Sequence, residues 1–247
     1  MDIYEFILEA RKQNNPCVLC TLIRINGNGS SPQKPGAKML VYEKGNIIGT
    51  IGGGVTEFET IKEAQKLLAD NKISSTLLTS EGKEIFLELI LPIPKLYIFG
   101  AGHVAMALAK FVKWFDFQTT IIDPRENIFK NCTLDNVIIK NSDYLETISF
   151  LPFSNNTYIV ISTLSHETDR EVLINVASKP HSYIGMIGSK SKIENIREYC
   201  LKNQLLTQEQ LDKIDMPIGI KIVAQKPEEV AISILAKLID EKNKKTI

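Results

Sequence analysis

The chain has little of what would assign it at a glance. Its four cysteines, Cys17, Cys20, Cys132 and Cys200, are too few among 247 residues to form a disulfide framework. No charge of one sign dominates: 29 basic residues face 29 acidic ones, which removes the electrostatic footprint of a broad nucleic-acid surface. No long hydrophobic run exists either. The stretch around Ile85 to Ile93 is broken by Glu88 and Pro92 and falls far short of the roughly 20 apolar residues of a membrane span. The opening MDIYEFILEARK lacks the basic segment followed by an apolar one that marks a secretory leader. There is no G-x-x-x-x-G-K-[ST] and no G-x-S-x-G, so a P-loop phosphotransferase and a nucleophile-elbow hydrolase are both excluded. The expectation is a cytoplasmic protein with neither a membrane nor a nucleic acid as partner.

What is present divides at Pro92-Ile93-Pro94. Before it, Ile3, Phe6, Ile7 and Ala10 fall on one helical face, and CVLCTLIRI then reads as a strand. The stretch NGNGSSPQKPG reads as a loop, and KMLVY, EKGN and IIGTI as a hairpin. After Gly52, Gly53 and Gly54, the spacing of Phe58, Ile61, Ala64, Leu67 and Leu68 predicts a helix from Thr56 to about Asn71, opened by a Thr56-x-x-Glu59 capping box. STLLTS and IFLELIL are two further strands. Beyond residue 93 the texture becomes strand and helix in alternation: LYIFG, a helix from His103 to Trp114, then QTTIID, NVIIK, YIVIST and YIGMIG with helical segments between. Such alternation predicts a Rossmann-like, doubly wound parallel sheet. The expected fold is therefore α/β, a small α+β domain over 1–93 followed by a Rossmann-like domain over 94–247. Thr168-x-x-Glu171, Ser191-x-x-Glu194 and Pro227 with Glu228 and Glu229 mark helix starts, and DEKNKK near the end reads as a frayed, charged tail.

Gly100-Ala101-Gly102-His103-Val104-Ala105 follows a predicted strand and opens a predicted helix, as the dinucleotide fingerprint G-x-G-x-x-[GA] requires. Gly100 would permit the tight turn, Gly102 would let backbone approach a pyrophosphate, and Ala105 would let helix and strand pack closely. Asp123 ends the next strand, where an acid that binds ribose belongs, and Arg125 leaves NAD against NADP open. A turn kept for packing alone would carry the same glycines. His103 is either a ligand contact or a plain helix-start residue. His166, Glu167 and Asp169, at the carboxyl end of a parallel strand, are candidates for metal or phosphate contacts. Cys17-x-x-Cys20 has no second pair, and its members point to opposite faces of a strand, so buried thiols are the expectation. Lys34 and Lys38, together with the glycines after Gly49, combine cations and exposed backbone donors at a helix start, which suits an anion or equally a structural turn cluster.

The blocks Ser30-Ser31-Pro32-Gln33-Lys34-Pro35-Gly36-Ala37-Lys38-Met39, Gly49 to Gly54, Gly100 to Val104, Asp123-Pro124-Arg125, Tyr183 to Lys190, Pro217-Ile218-Gly219 and Lys226 to Ala231 occur in an order that resembles the XdhC/CoxI family, the xanthine dehydrogenase accessory proteins. The resemblance implies a small N-terminal domain joined to a Rossmann-type one. It implies a carrier more than an enzyme: a factor that binds molybdenum cofactor (molybdopterin), protects it and delivers it to a molybdenum hydroxylase such as xanthine dehydrogenase. It further implies a homodimer that meets this client and a cysteine desulfurase. On that reading Lys34, Lys38, Gly52, Gly53, Gly54 and Glu57 lie near the pterin, while Gly100, Gly102, His103, Asp123 and His166 line a second, nucleotide-like site. The chain departs from the family at Val55, where many members carry cysteine, and around Ser165 to Asp169, where they are often richer in histidine. The alternative is an NAD(P)-dependent oxidoreductase with His103 or His166 as proton donor.

Overall fold

The structure, a computed structural model, describes residues 2–26, 32–70, 74–130 and 132–244. The chain forms two compact units, the second beginning at Pro94. The first contains α1 (Ile3–Lys12), β1 (Cys17–Ile25), β2 (Lys38–Tyr42), β3 (Ile47–Gly49), α2 (Gly54–Asp70), β4 (Ser75–Ser80) and β5 (Lys83–Ile90). Its strands make an antiparallel five-stranded sheet in the order β3-β2-β1-β5-β4. Alternating side chains divide between the two faces. Val18, Cys20, Leu22, Met39, Ile85 and Leu87 pack with Ala64 and Leu67 of α2, whereas Cys17, Leu19 and Leu40 pack with Ala10 of α1. Cys17 and Cys20 thus lie in separate cores, as the strand periodicity required. Burial pushes their thiols up to about 11 and about 12, so both are protonated at neutral pH.

Helix α2 begins at Gly54, two residues ahead of its expected start. The Thr56–Glu59 box does not form: the Thr56 hydroxyl donates to Glu81 at 2.9 Å, and Glu59 accepts from the Ser80 hydroxyl at 2.5 Å. Both residues fasten the helix to the β4–β5 hairpin, and the glycine turn has already started it.

The second unit contains β6 (Lys95–Phe99), α3 (His103–Phe111), β7 (Gln118–Ile122), β8 (Val137–Lys140), α4 (Tyr144–Phe150), β9 (Thr157–Ile161), α5 (His166–Ala177), β10 (Tyr183–Met186), α6 (Lys190–Lys202), α7 (Gln208–Asp212) and α8 (Pro227–Asn243). All five strands are parallel, in the order β10-β9-β6-β7-β8, so the first strand of the unit is the central one. Both faces are covered, which is why the strands read as nearly continuous apolar runs. Leu96, Ile98, Ile121 and Val160 meet Leu108 of α3 and Ile234 and Leu238 of α8. Phe99, Ile122, Ile159 and Ile161 meet Ile148, Val172 and Ile196 of α4, α5 and α6. The chain is α/β, with a parallel doubly wound sheet in this unit.

Three local expectations are corrected here. Helix α5 is capped by Ser165, whose hydroxyl accepts from Thr168 N–H, so Thr168 closes the box as the third residue of the helix and does not open it. Helix α6 is capped by Ser189, two residues before Ser191. The described part of the charged tail, up to Lys244, is not frayed: α8 continues through Asn243, laced by Lys237–Glu241 and Lys244–Asp240 pairs at helical spacing, and Lys245 lies outside the described residues. The start of α8 is as the sequence predicts, with Pro227 in the first turn and Glu229 accepting from the N–H groups of Gln225 and Lys226.

Candidate functional site

Two glycine turns lead into α2 and α3. In the first unit Gly52, Gly53 and Gly54 have φ of 121°, 72° and 70°, three consecutive left-handed residues that swing the chain into α2. Three donors around this turn converge on one carboxylate. Glu57 Oε2 accepts from Ile51 N–H and Gly53 N–H at 3.1 Å each and from the Thr50 hydroxyl at 2.5 Å, while Gly52 N–H donates to Thr50 Oγ1 at 3.1 Å. The anion held by the turn is the chain's own. Burial alone would raise the Glu57 pKa, but these bonds outweigh it and hold the acid below the usual carboxylate range.

The lysines named for this turn are elsewhere engaged or exposed. Lys38 Nζ donates to Thr21 Oγ1 on β1 at 3.1 Å, and Lys34 is exposed in the loop before β2, its carbonyl accepting from Ala37 N–H. Ser30 and Ser31 lie outside the described residues. Val55 and Phe58 stand exposed on the first turns of α2, with the Lys62 ammonium 4.3 Å from the Phe58 ring.

In the second unit the turn after β6 brings together Gly100, Gly102, His103 and Asp123. Gly100 has φ of +107°, and a Cβ there would come within 1.9 Å of the Ser162 carbonyl oxygen at the end of β9. Its glycine is required by a backbone crossing. Gly102 precedes the first residue of α3, has ordinary φ of −70°, and a Cβ there would meet nothing within 4 Å. No side chain caps α3, so its first-turn donors have no side-chain partner at the cap. Asp123 is fully buried and accepts from Ala101 N–H, from Arg125 N–H and from the Arg125 guanidinium. Burial would raise its pKa, but the Arg125 bonds and the Ala101 N–H together keep it below the ordinary aspartate value.

His103 and His166 are both exposed and open α3 and α5. Because β6 and β9 are neighbours, with Phe99 opposite Ile161, these helix starts follow adjacent strand ends. Strand order reverses between those two strands, where open α/β sheets hold ligands. Of the acids near His166, Glu167 is exposed, but Asp169 is only 1% exposed and already committed. It accepts from Thr163 N–H at 2.7 Å and the Thr163 hydroxyl at 2.6 Å, and pairs with Lys192, whose ammonium also reaches the Ile187 carbonyl at 3.0 Å. Among the described residues no group of three His, Cys, Asp or Glu side chains is placed to hold a metal ion. Lys192 and Asn141, which the sequence does not single out, are bonded to the acids and loops of this edge. The separation of Lys192 from Asp169 carries no local pattern, whereas Asp123-x-Arg125 is a short spacing that could have disclosed the closing of the acid.

A chain built as an antiparallel-sheet unit followed by a five-stranded parallel unit with a glycine turn at its switch point falls in the class of two-unit proteins bearing a Rossmann-type domain. Residues 10–79 match the family model described as the XdhC and CoxI family, and residues 96–238 match the one described as the XdhC Rossmann domain. The chain belongs to the XdhC and CoxI family. Its relatives include an Escherichia coli K12 protein named uncharacterized protein YqeB, 26% identical over 98% of this chain and 47% of its own length. Another, from Bacillus subtilis 168, is named as a probable xanthine dehydrogenase subunit; it is 26% identical over 65% of this chain and 46% of its own length. The chain spans about half the length of these curated relatives. A solved Bacillus halodurans structure titled as a xanthine dehydrogenase has the same fold, with a TM-score of 0.56 and 21% identity over 99% of this chain and 96% of that one. Among the described residues no helix is long and apolar enough to cross a membrane.

Proposed function

We propose that this protein is an accessory factor for a molybdenum hydroxylase of the xanthine dehydrogenase kind, which it serves by binding molybdenum cofactor and passing it on. The observation that carries the reading is the match of both units, in order, to the two XdhC family models. The Bacillus subtilis relative, by its name, supports the link to xanthine dehydrogenase.

The residues fit the group unevenly. The glycine turn of the first unit offers no free anion cradle, since Glu57 fills it. The edge of the second unit fits better: Gly102 leaves the volume of a Cβ empty beside uncapped helix donors, and His103 and His166 are exposed at neighbouring helix starts. Those groups would hold the phosphate of the pterin side chain. The cofactor itself, when bound, would supply the redox-active metal. Sulfur handling at the first turn would fall to a partner such as a cysteine desulfurase, because Val55 supplies no thiol. Function in the cytoplasm as a homodimer belongs to the same proposal.

The test is purification without chelators from a host that makes molybdenum cofactor, followed by molybdenum analysis and fluorescence of the oxidised pterin. Near-stoichiometric molybdenum and pterin are expected, and Gly102→Asp should abolish both by filling the open volume with an anion. Absence of both from the unaltered protein, with cofactor abundant in the same cells, would overturn the reading.

A further inference from the structure

We infer that Arg125 is a specificity-determining residue that denies the second unit's glycine turn to NAD(H), the dinucleotide whose ribose diol needs a free acid at Asp123. In a dinucleotide-binding Rossmann unit the acid ending the second strand accepts hydrogen bonds from the ribose hydroxyls. Here that acid is Asp123, which directly follows β7, the second strand of the unit. A carboxylate offers about four lone-pair sites. All four are taken: Oδ1 accepts from Arg125 N–H at 3.0 Å and Arg125 Nε at 2.9 Å, and Oδ2 from Ala101 N–H at 2.7 Å and Arg125 Nη2 at 2.7 Å. The side chain of Asp123 is 0% exposed, beneath an Arg125 side chain that is 35% exposed.

The closure is braced from outside. Asn141, just past β8, donates its amide to the carbonyls of both Asp123, at 2.6 Å, and Arg125, at 2.9 Å, fixing the turn between them. Ala101 N–H, a donor of the glycine turn that would otherwise face a pyrophosphate, is likewise aimed inward at Asp123. A ribose diol reaches the acid only after a bidentate, charge-assisted pair is broken in a partly buried setting. The ligand of this unit therefore makes no ribose contact at Asp123. This inference is independent of the molybdenum reading and weighs against an oxidoreductase that uses NAD(H).

The experiment is a titration of the full chain with NADH, followed by nicotinamide fluorescence. The unaltered protein should show no saturation up to about 1 mM. Arg125→Ala, which uncovers the acid, should bind NADH at least tenfold more tightly, and adding Asp123→Asn to it should remove that gain. Arg125→Lys keeps a cation on the buried acid but frees part of its lone-pair capacity, so it should retain the fold and gain partially. Saturable NADH binding by the unaltered protein, or a folded Arg125→Ala or Arg125→Lys with no gain, would overturn the inference. Either result leaves molybdenum and pterin retention, measured separately, untouched.

Discussion

Gly100 and Gly102, two residues apart in one fingerprint, should respond very unequally to a single methyl group. At Gly100 an added Cβ would lie 1.9 Å from the Ser162 carbonyl oxygen and 2.6 Å from its carbon. That carbonyl cannot retreat cheaply, because Ser162 N–H is bonded to the Phe99 carbonyl at 2.8 Å, anchoring the end of β9 to the end of β6. Alanine at φ of +107° adds backbone strain of roughly 1–3 kcal/mol. Overpacking adds roughly another 1–3 kcal/mol. Against a total stability of about 5–15 kcal/mol, the sum is a large fraction. A loss of about 3 kcal/mol corresponds to a melting temperature lower by about 6–12 °C in a protein of this size. Gly102→Ala meets no neighbour within 4 Å and keeps an allowed φ, so its cost stays below about 1 kcal/mol, the usual scale of an altered cap. Thermal melts followed by far-ultraviolet circular dichroism, with retained pterin measured on the same samples, separate the two. Gly102→Ala should melt with the unaltered protein yet hold less pterin. A Gly100→Ala protein that also melts with it would refute the account of the crossing.

Glu57→Ala should destabilise the first unit by about 1–3 kcal/mol, since it strips three donors of their acceptor, and chemical denaturation would measure it. The folded pKa of Glu57 lies below its unfolded value, so its contribution is present at neutral pH and lost as pH falls below about 4; acid titration of Glu57→Ala should show a shallower loss there than the unaltered protein. Removing one partner of the buried Asp169–Lys192 pair, as in Lys192→Met, should cost about 3–5 kcal/mol, and adding Asp169→Asn should recover part of it, a coupling that a double-mutant cycle reads directly. Cys17 and Cys20 should resist iodoacetamide at pH 8 until denaturant is added, and labelling at the unfolded rate would contradict their burial.

The strands of the second unit were legible because a strand buried on both faces leaves an apolar run that nothing else in a short segment explains. LYIF, TTII and YIVI each sit where the sequence puts them. Helix starts were less so. Around Ser165, Thr168 and Ser189, Ser191 several hydroxyls compete for the cap, and the winner is decided by where the preceding strand releases the chain. The last turns of α8 look like a solvated tail in composition, and only the i,i+4 pairing of Lys237, Asp240, Glu241 and Lys244 shows a helix there. For the site, the positions of the glycines, His103, Asp123 and His166 followed from spacing. What spacing does not carry is where a carboxylate spends its lone pairs. Glu57 folds back onto its own turn, Asp123 is closed by Arg125, and Asp169 is met by a lysine from the next helix, so three acids that read as available are occupied.

The central place of β6 also has a consequence in time. As the chain leaves the ribosome, β6 and its glycine turn appear well before β9, and the turn is held against Ser162, which is made later. At about 5–20 residues per second that interval is on the order of seconds. Until Ser162 arrives, the switch-point edge does not exist, and β6 presents one side unpaired. The first unit, by contrast, has every one of its strands already synthesised. A nascent chain would thus hold a finished first unit while its switch-point edge was still being written, and on the proposed function any cofactor loading at that edge would be a late event.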